Sequence, residues 1–476
     1  MAIELKKAGL CSFTIFERAC EIGGTWRDNT YPGAACDVPS HVYSFSFESN
    51  PDWSRMYATS GEIQSYLQRC VEKYGLRRHL RTNTEIVEAR FDADSGIWRL
   101  ATHTGETVTA RVVVAAMGGL VDPAYPSIDG IVSFSGEMFH TARWDHECDL
   151  TGRNVAVIGT GASAVQVIPE IAKIAARLLV FQRTPAWVLP RRDRVIGARA
   201  KRVYRRFPWV QRAVRSALFW LSEARGPMVV LDSPLSRIAE RASLRHLRAS
   251  VSDSKLRQKL RPRFRFGCKR VLISDDYWST LERENVELVD SGIARIRSRS
   301  IESADGEEHL VDVIVLATGF AVGFSRAPFP VTGRGGRGLD AVWSRGATAY
   351  KGMTVAGFPN WFILMGPNTG PGHTSVLVYT ESQIAYVLQA IRKLIAEDIG
   401  WMDVRQRVQD RYNAGLDRRM KYTSWSSGCR SWYLSEDGAN HSLYPGFASE
   451  YCARTRRLDA SDYEFGPAVR RQEETD

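Results

Sequence analysis

Residues 154–184, NVAVIGTGASAVQVIPEIAKIAARLLVFQRT, read as a strand, a glycine turn, a helix and a second strand. Val155 to Ile158 is an unbroken apolar run, the pattern of a strand. Gly159, Gly161 and Ala164 then match G-x-G-x-x-A, which carries little weight alone and much more between a strand and a helix. The glycines let the backbone approach a pyrophosphate, whose charge the helix N-terminus favours. Arg183, with Thr184 beside it, closes the second strand 22 residues after Gly161, where an NAD site places an acid. A cation there favours the 2′-phosphate of NADP.

Upstream of this unit lies FSGEMFHTARWD, Phe134 to Asp145, spaced Phe-x-Gly-x-x-x-His-x-x-x-Trp-Asp. Gly136 permits a bend, Phe134 and Trp144 anchor the segment, and His140 stands between them. Taken alone, this is a packed interdomain loop. It follows RVVVAAMGGL (111–120), an apolar strand ending in small residues, and VDPAYPSIDG (121–130), a connection out of the first domain. Earlier, GGTWRDNTYPGAACD (23–37) combines Gly24, Trp26 and Asp37 in an irregular stretch that either lines a ligand or packs as an Ω-loop. CSFTIFER (11–18) reads as a buried parallel strand running into Glu17, an acid placed to bind a ribose hydroxyl. The glycine fingerprint belonging to that acid should fall about 20 residues earlier, before residue 1. MAIELKKAG reads as the remainder of the helix after that turn, so the first domain is expected to be truncated.

Downstream, residues 195–265 interrupt the second domain. Val203, Phe207, Val210, Val214, Leu218 and Leu221 recur at helical intervals among arginines, with Pro208 starting or kinking a helix. The expectation is a helical excursion packed on the cofactor domain; an interfacial amphipathic helix is the other reading. FGCKRVLISDDYW (266–278) sets Lys269 and Arg270 before an apolar segment, a position suited to ligand anions. DVIVLATGF (312–320) signals a return to the first domain, GFPNWFILMGPNTGPGHTS (357–375) repeats the strand-then-glycine pattern, and GCRSWYL (428–434) presents Trp432 and Tyr433.

A chain of 476 residues suggests two or three domains, and 44% apolar with 25% charged residues fits a globular protein. No apolar run approaches a membrane span, and charges at the N-terminus oppose a signal peptide, so a cytoplasmic location is expected. The eight cysteines contain no Cys-x-x-Cys pair, which argues against a zinc site or a disulfide framework. Residues 191–215 hold ten Lys or Arg against Asp193, a large share of the net charge of +11. No nucleic-acid fold accompanies them, so nucleic acid is not expected as a partner. A solvated basic face and a peripheral membrane contact through 195–225 both stand.

With these residues in view, the chain resembles the type I Baeyer-Villiger monooxygenases, class B flavoproteins that use FAD and NADPH, over nearly its whole length. The fingerprint 134–145 fits at every defined position, and Gly24, Trp26, Tyr31, Pro32, Gly33 and Asp37 fit a second family motif. The resemblance implies an α/β fold of two Rossmann-like dinucleotide-binding domains, for FAD and NADP, with a helical insertion at about 195–265. The expected divisions are 1–130 (flavin domain, first part), 131–150 (fingerprint linker), 151–308 (NADP domain) and 309–476 (flavin domain, second part, with a closing segment). It implies insertion of one oxygen of O2 into a hydrophobic ketone through a peroxyflavin, giving an ester or lactone. Arg270 would be the active-site arginine, adjusted by Asp37, and Lys269 with Arg183 would hold the NADP phosphate. His140 would couple domain movement to catalysis, and Trp432 would close over the nicotinamide. The alternatives are a nitrogen- or sulfur-oxidising flavin monooxygenase and an inactive NADP-binding remnant.

Overall fold

The computed structural model describes residues 1–321, 327, 329–429, 431–435 and 438–467. A five-stranded parallel sheet grows from the two strands that flank the glycine turn. Asn154–Ile158 pairs with Arg177–Phe181, which pairs with Val286–Val289; on its other side it pairs with Val313–Leu316, and that strand with Glu137–His140. Side chains alternate between two apolar clusters. Val155, Val157, Leu178, Val180, Val313 and Val315 face one, while Ala156, Ile158, Leu179, Phe181, Ile314 and Leu316 face the other. Burial on both faces is why these runs read as continuous rather than alternating. Each fully buried Val or Leu contributes about 1.5–3 kcal/mol, so a charge placed at Val157 would break the domain.

Two expected boundaries move. Part of the 131–150 linker, Glu137–His140, is an edge strand of this sheet. Val313–Leu316 is not a return to the first domain: it lies inside the five-stranded sheet, and the chain leaves that sheet only after Leu316.

In the flavin part, Ile15–Phe16 pairs in parallel with Leu80–Arg81, and Val113–Ala115 with Trp361–Ile363; no ladder joins the two pairs. The buried strand expected at 11–18 is therefore two half-buried residues, because a strand partnered along one edge leaves half its ladder groups unpaired. Ala2–Lys7 is helical, as expected of MAIELKKAG. An antiparallel meander, Ile86–Asp92, Ile97–Thr102 and Thr107–Ala110, joined by Val331–Thr332, packs on one side.

Residues 198–259 form four helices: Ala198–Arg206, Pro208–Val229, Ser236–Ser250 and Ser254–Lys259. The stripe expected to pack does not. Val203, Phe207 and Leu221 are exposed, and Val210, Val214 and Leu218 only half-buried. The chain breaks at Phe207 (φ −131°, ψ 76°) and Pro208 opens a new helix, but Val210, Val214, Leu218 and Leu221 all lie on that one helix, whose buried side is a different one. That helix instead buries Gln211, Glu223 and Gly226. Among the described residues, no helix is long and apolar enough to cross a membrane.

Candidate functional site

Gly159 adopts φ +119°, and a side chain there would start 2.4 Å from the Ala317 carbonyl oxygen, so only glycine fits between the two strands. Gly161 caps the helix Ala162–Ile171 with no side-chain cap and with nothing within 4 Å of where its Cβ would sit. The first amides of that helix thus open onto free space. Ala164 is buried beneath them. Thr160 Oγ1 donates to the Thr184 carbonyl (3.1 Å), fastening the turn to the end of the next strand beside Arg183. Lys269 comes close to Arg183: burial first, and then the charge of Arg183, lowers the pKa of its ammonium. Neither cation has a carboxylate partner among the described residues. An open helix N-terminus and two cations without carboxylate partners suit a phosphorylated dinucleotide.

Asp37 and Arg270, 233 positions apart in sequence, meet directly. Asp37 Oδ2 accepts from Arg270 Nε (2.9 Å) and Nη2 (2.5 Å). The Asp37 carboxylate is the largest influence on the guanidinium and raises its pKa, so Arg270 stays charged. Arg270 precedes Leu272–Ile273, a short strand paired with Val188–Leu189, and Val188 and Leu272 pack into the core of the five-stranded sheet, which fixes the arginine beside that core. Asp37 ends the irregular stretch of the flavin part. Within that stretch Gly24 (φ +51°) caps the helix Thr25–Asp28 with open space where a side chain would begin, and Trp26 Nε1 donates to Tyr43 OH (3.1 Å). Glu17 Oε1 accepts from the Ala19 amide (2.9 Å) and pairs with Arg27 (3.2 Å). Backbone left open beside a fixed indole and an acid at a strand end suits a flat ring with a ribose attached.

His140 is buried at the end of its edge strand, and its Nδ1 accepts the Ala142 amide (3.0 Å). Burial first lowers its pKa, which keeps the ring neutral near neutral pH. Tyr125 and Phe320 contact the ring edge-on. They belong to the two segments that cross between the domains, which pair with each other: the Ala124 amide donates to Gly319 O, Thr318 Oγ1 donates to Ala124 O, and the Ala321 amide donates to Asp122 O.

The cysteines depart from expectation: Cys268 and Cys429 form a disulfide across 161 positions. A pair so far apart leaves no spacing signal, and the fold alone brings it together. Cys268 adjoins Lys269 and Arg270, while Cys429 lies three residues before Trp432, with Arg430 between them outside the described residues. Trp432 is 44% exposed and packs on buried Tyr433 at 4.3 Å. The charges of Arg270 and Asp37 reach the Tyr433 hydroxyl, whose pKa burial raises.

Sequence reasoning also missed Glu223. It is buried, its Oε1 lies 2.6 Å from His373 Nε2, and it accepts from the Ala448 and Ser449 amides and from Ser449 Oγ. Burial alone would raise its pKa, but the hydrogen bonds from His373 and Ser449 outweigh that and bring it to about 2. Its one signal was being the single acid among eight Lys or Arg in 198–229.

The structure thus holds a helix-capping glycine turn, two cations without carboxylate partners among the described residues, and an acid–arginine pair that joins residues 233 positions apart. The chain belongs to the flavin-binding monooxygenase-like family, whose model matches residues 8–330. It is 46% identical over 468 residues to a Baeyer-Villiger monooxygenase of Pseudomonas aeruginosa, covering 97% of this chain and 88% of that protein. Its fold is similar to that of cyclohexanone monooxygenase from Rhodococcus sp. Phi1 bound to NADP+ (TM-score 0.87, 26% identity, 98% of this chain and 97% of that one). It is equally similar to OTEMO in complex with FAD and NADP (TM-score 0.87, 27% identity, 98% and 96%).

Proposed function

We propose that this chain is an FAD- and NADPH-dependent Baeyer-Villiger monooxygenase, inserting one oxygen atom of O2 beside a ketone carbonyl to give an ester or lactone. The observation that carries the reading is the Asp37–Arg270 pair, which sets a permanent cation where the flavin part meets the NADP domain. FAD, when bound, supplies the reaction with O2, and NADPH supplies the hydride. The residues do the rest. Glu17, Gly24 and Trp26 hold the flavin nucleotide, and the Gly159–Ala164 turn with Arg183, Thr184 and Lys269 holds NADPH. Asp37 takes up Nε and Nη2 of Arg270 and leaves Nη1 without a protein acceptor among the described residues. Negative charge building on oxygen as the carbonyl is attacked then meets a donor that cannot lose its proton. His140, neutral and buried, positions the crossing between domains rather than moving a proton. Trp432 covers the nicotinamide side. An apolar ketone, a cytoplasmic location and a basic face turned to a membrane complete the reading.

The test is Arg270→Ala, assayed with NADPH and a cyclic ketone by gas chromatography alongside flavin absorbance. Flavin content should stay unchanged while ester formation falls below detection. Ester produced at the wild-type rate would remove Arg270, and with it the mechanism.

A further inference from the structure

The helices Ala198–Arg206 and Pro208–Val229 carry eight Lys or Arg and one acid, Glu223, which is buried inward. Among the described residues Arg199, Arg202, Arg206 and Arg212 have no ion-pair partner; Arg205 pairs with Asp52. Large apolar side chains stand exposed among these cations. Trp209 is 63% exposed and Trp220 60%, and Phe207 and Leu221 are exposed beside them. Trp209 and Trp220 are eleven positions apart, about three helical turns, so they share one face roughly 16 Å apart along the axis. Soluble surfaces seldom expose two indoles in line; indole bodies with arginine heads suit the boundary between headgroup and acyl chain.

The inward side of the same helix explains why these rings stay out. Glu223 is locked to His373 and Ser449, and Phe219 packs against the cluster of Tyr379, Tyr444 and Tyr451. With that side pinned, the helix cannot roll to bury Trp220. The outward face is therefore presented in a fixed orientation, and docking costs little further ordering.

We propose that this face docks the protein on an anionic lipid bilayer, the indoles entering the interface and the arginines meeting lipid phosphates. The charge selects this occupant over a second copy of the chain, because two such faces brought together would set unpaired arginines against arginines. The indoles favour it over nucleic acid, whose phosphates need the cations and give the rings no apolar phase to enter.

The full chain is incubated at low salt with phosphatidylcholine vesicles, with and without phosphatidylglycerol, and sedimented while tryptophan emission is recorded. The expected result is binding only to the anionic vesicles, with a blue shift, reversed by high salt. Removing three cations in R202Q/R206Q/R212Q should weaken binding roughly 100-fold, at about fivefold per cation. W209S/W220S should abolish the blue shift while its far-UV circular dichroism matches wild type. Equal binding to neutral vesicles, no binding to either, retention only on duplex DNA, or a dimer that W209S/W220S dissolves would each overturn the proposal. The comparison between vesicle compositions needs only the wild-type chain, so it stands even if a variant fails to fold.

Discussion

At the scale of single residues, the proposed selectivity for the nicotinamide cofactor is assigned to Arg183. A charge-assisted contact to phosphate is worth about 1.5–3 kcal/mol, so Arg183→Ala should reduce the NADPH over NADH preference in kcat/KM by roughly 10- to 100-fold. NADH turnover should change little, and an unaltered preference would leave Lys269 as the phosphate ligand alone. The place of Arg183 just past the strand Arg177–Phe181 was legible because a helix-capping glycine turn fixes where the second strand must end. Asp37 and Arg270 were legible only through resemblance, since nothing local announces that two residues 233 positions apart will meet. Glu223 was not legible at all. Its role comes from His373 and Ser449, which reach it from distant parts of the chain, and a lone acid in a basic helix looks like a surface residue until its surroundings are known.

At the scale of elements, the Cys268–Cys429 bridge ties the segment bearing Trp432 to the loop bearing Lys269 and Arg270. Opening it should leave the sheet intact but free the covering segment. Cys429→Ser, and the wild type reduced with dithiothreitol, should both show KM for NADPH raised about tenfold, equivalent to about 1.4 kcal/mol, with kcat less affected. The lost stability is at most about 5 kcal/mol on the chain-entropy model for so long a loop. If reduction changes neither KM nor the thermal midpoint, the bridge has no part in holding the segment. In a cytoplasmic chain such a bond would be a redox-sensitive tie rather than a permanent staple. The insertion helices show where pattern reading fails at this scale. A period of 3.6 marks a stripe but not the side that packs: Val210, Val214, Leu218 and Leu221 share one face of Pro208–Val229, while the helix buries Gln211 and Glu223 on another through polar contacts. By contrast the apolar run at 155–158, set before a glycine turn, reads correctly as a strand.

At the scale of the whole molecule, the insertion is fastened to the flavin part through Glu223. Glu223→Gln weakens a buried pair and should cost about 3 kcal/mol near neutral pH, measured by urea unfolding. The sign of the pH dependence follows from a carboxyl whose folded pKa, about 2, lies below its ordinary 4.5. Its contribution is complete above 4.5 and fades as pH falls toward 2, so the gap between wild type and variant should close over that interval. A gap that stays constant or widens on acidification would mean that the carboxylate is not what holds the insertion.

The paired crossings under His140 carry a mechanical consequence. The crossing segments 122–125 and 318–321 run side by side and are hydrogen-bonded to each other, so they act as one line rather than as two independent tethers. Sliding of the halves would break these hydrogen bonds, while rotation about the line would be limited by the Cys268–Cys429 bridge and the Asp37–Arg270 pair, which tie the halves away from it. A protease nick in one passage would leave the other, still clamped by its neighbour, to hold the two halves in register.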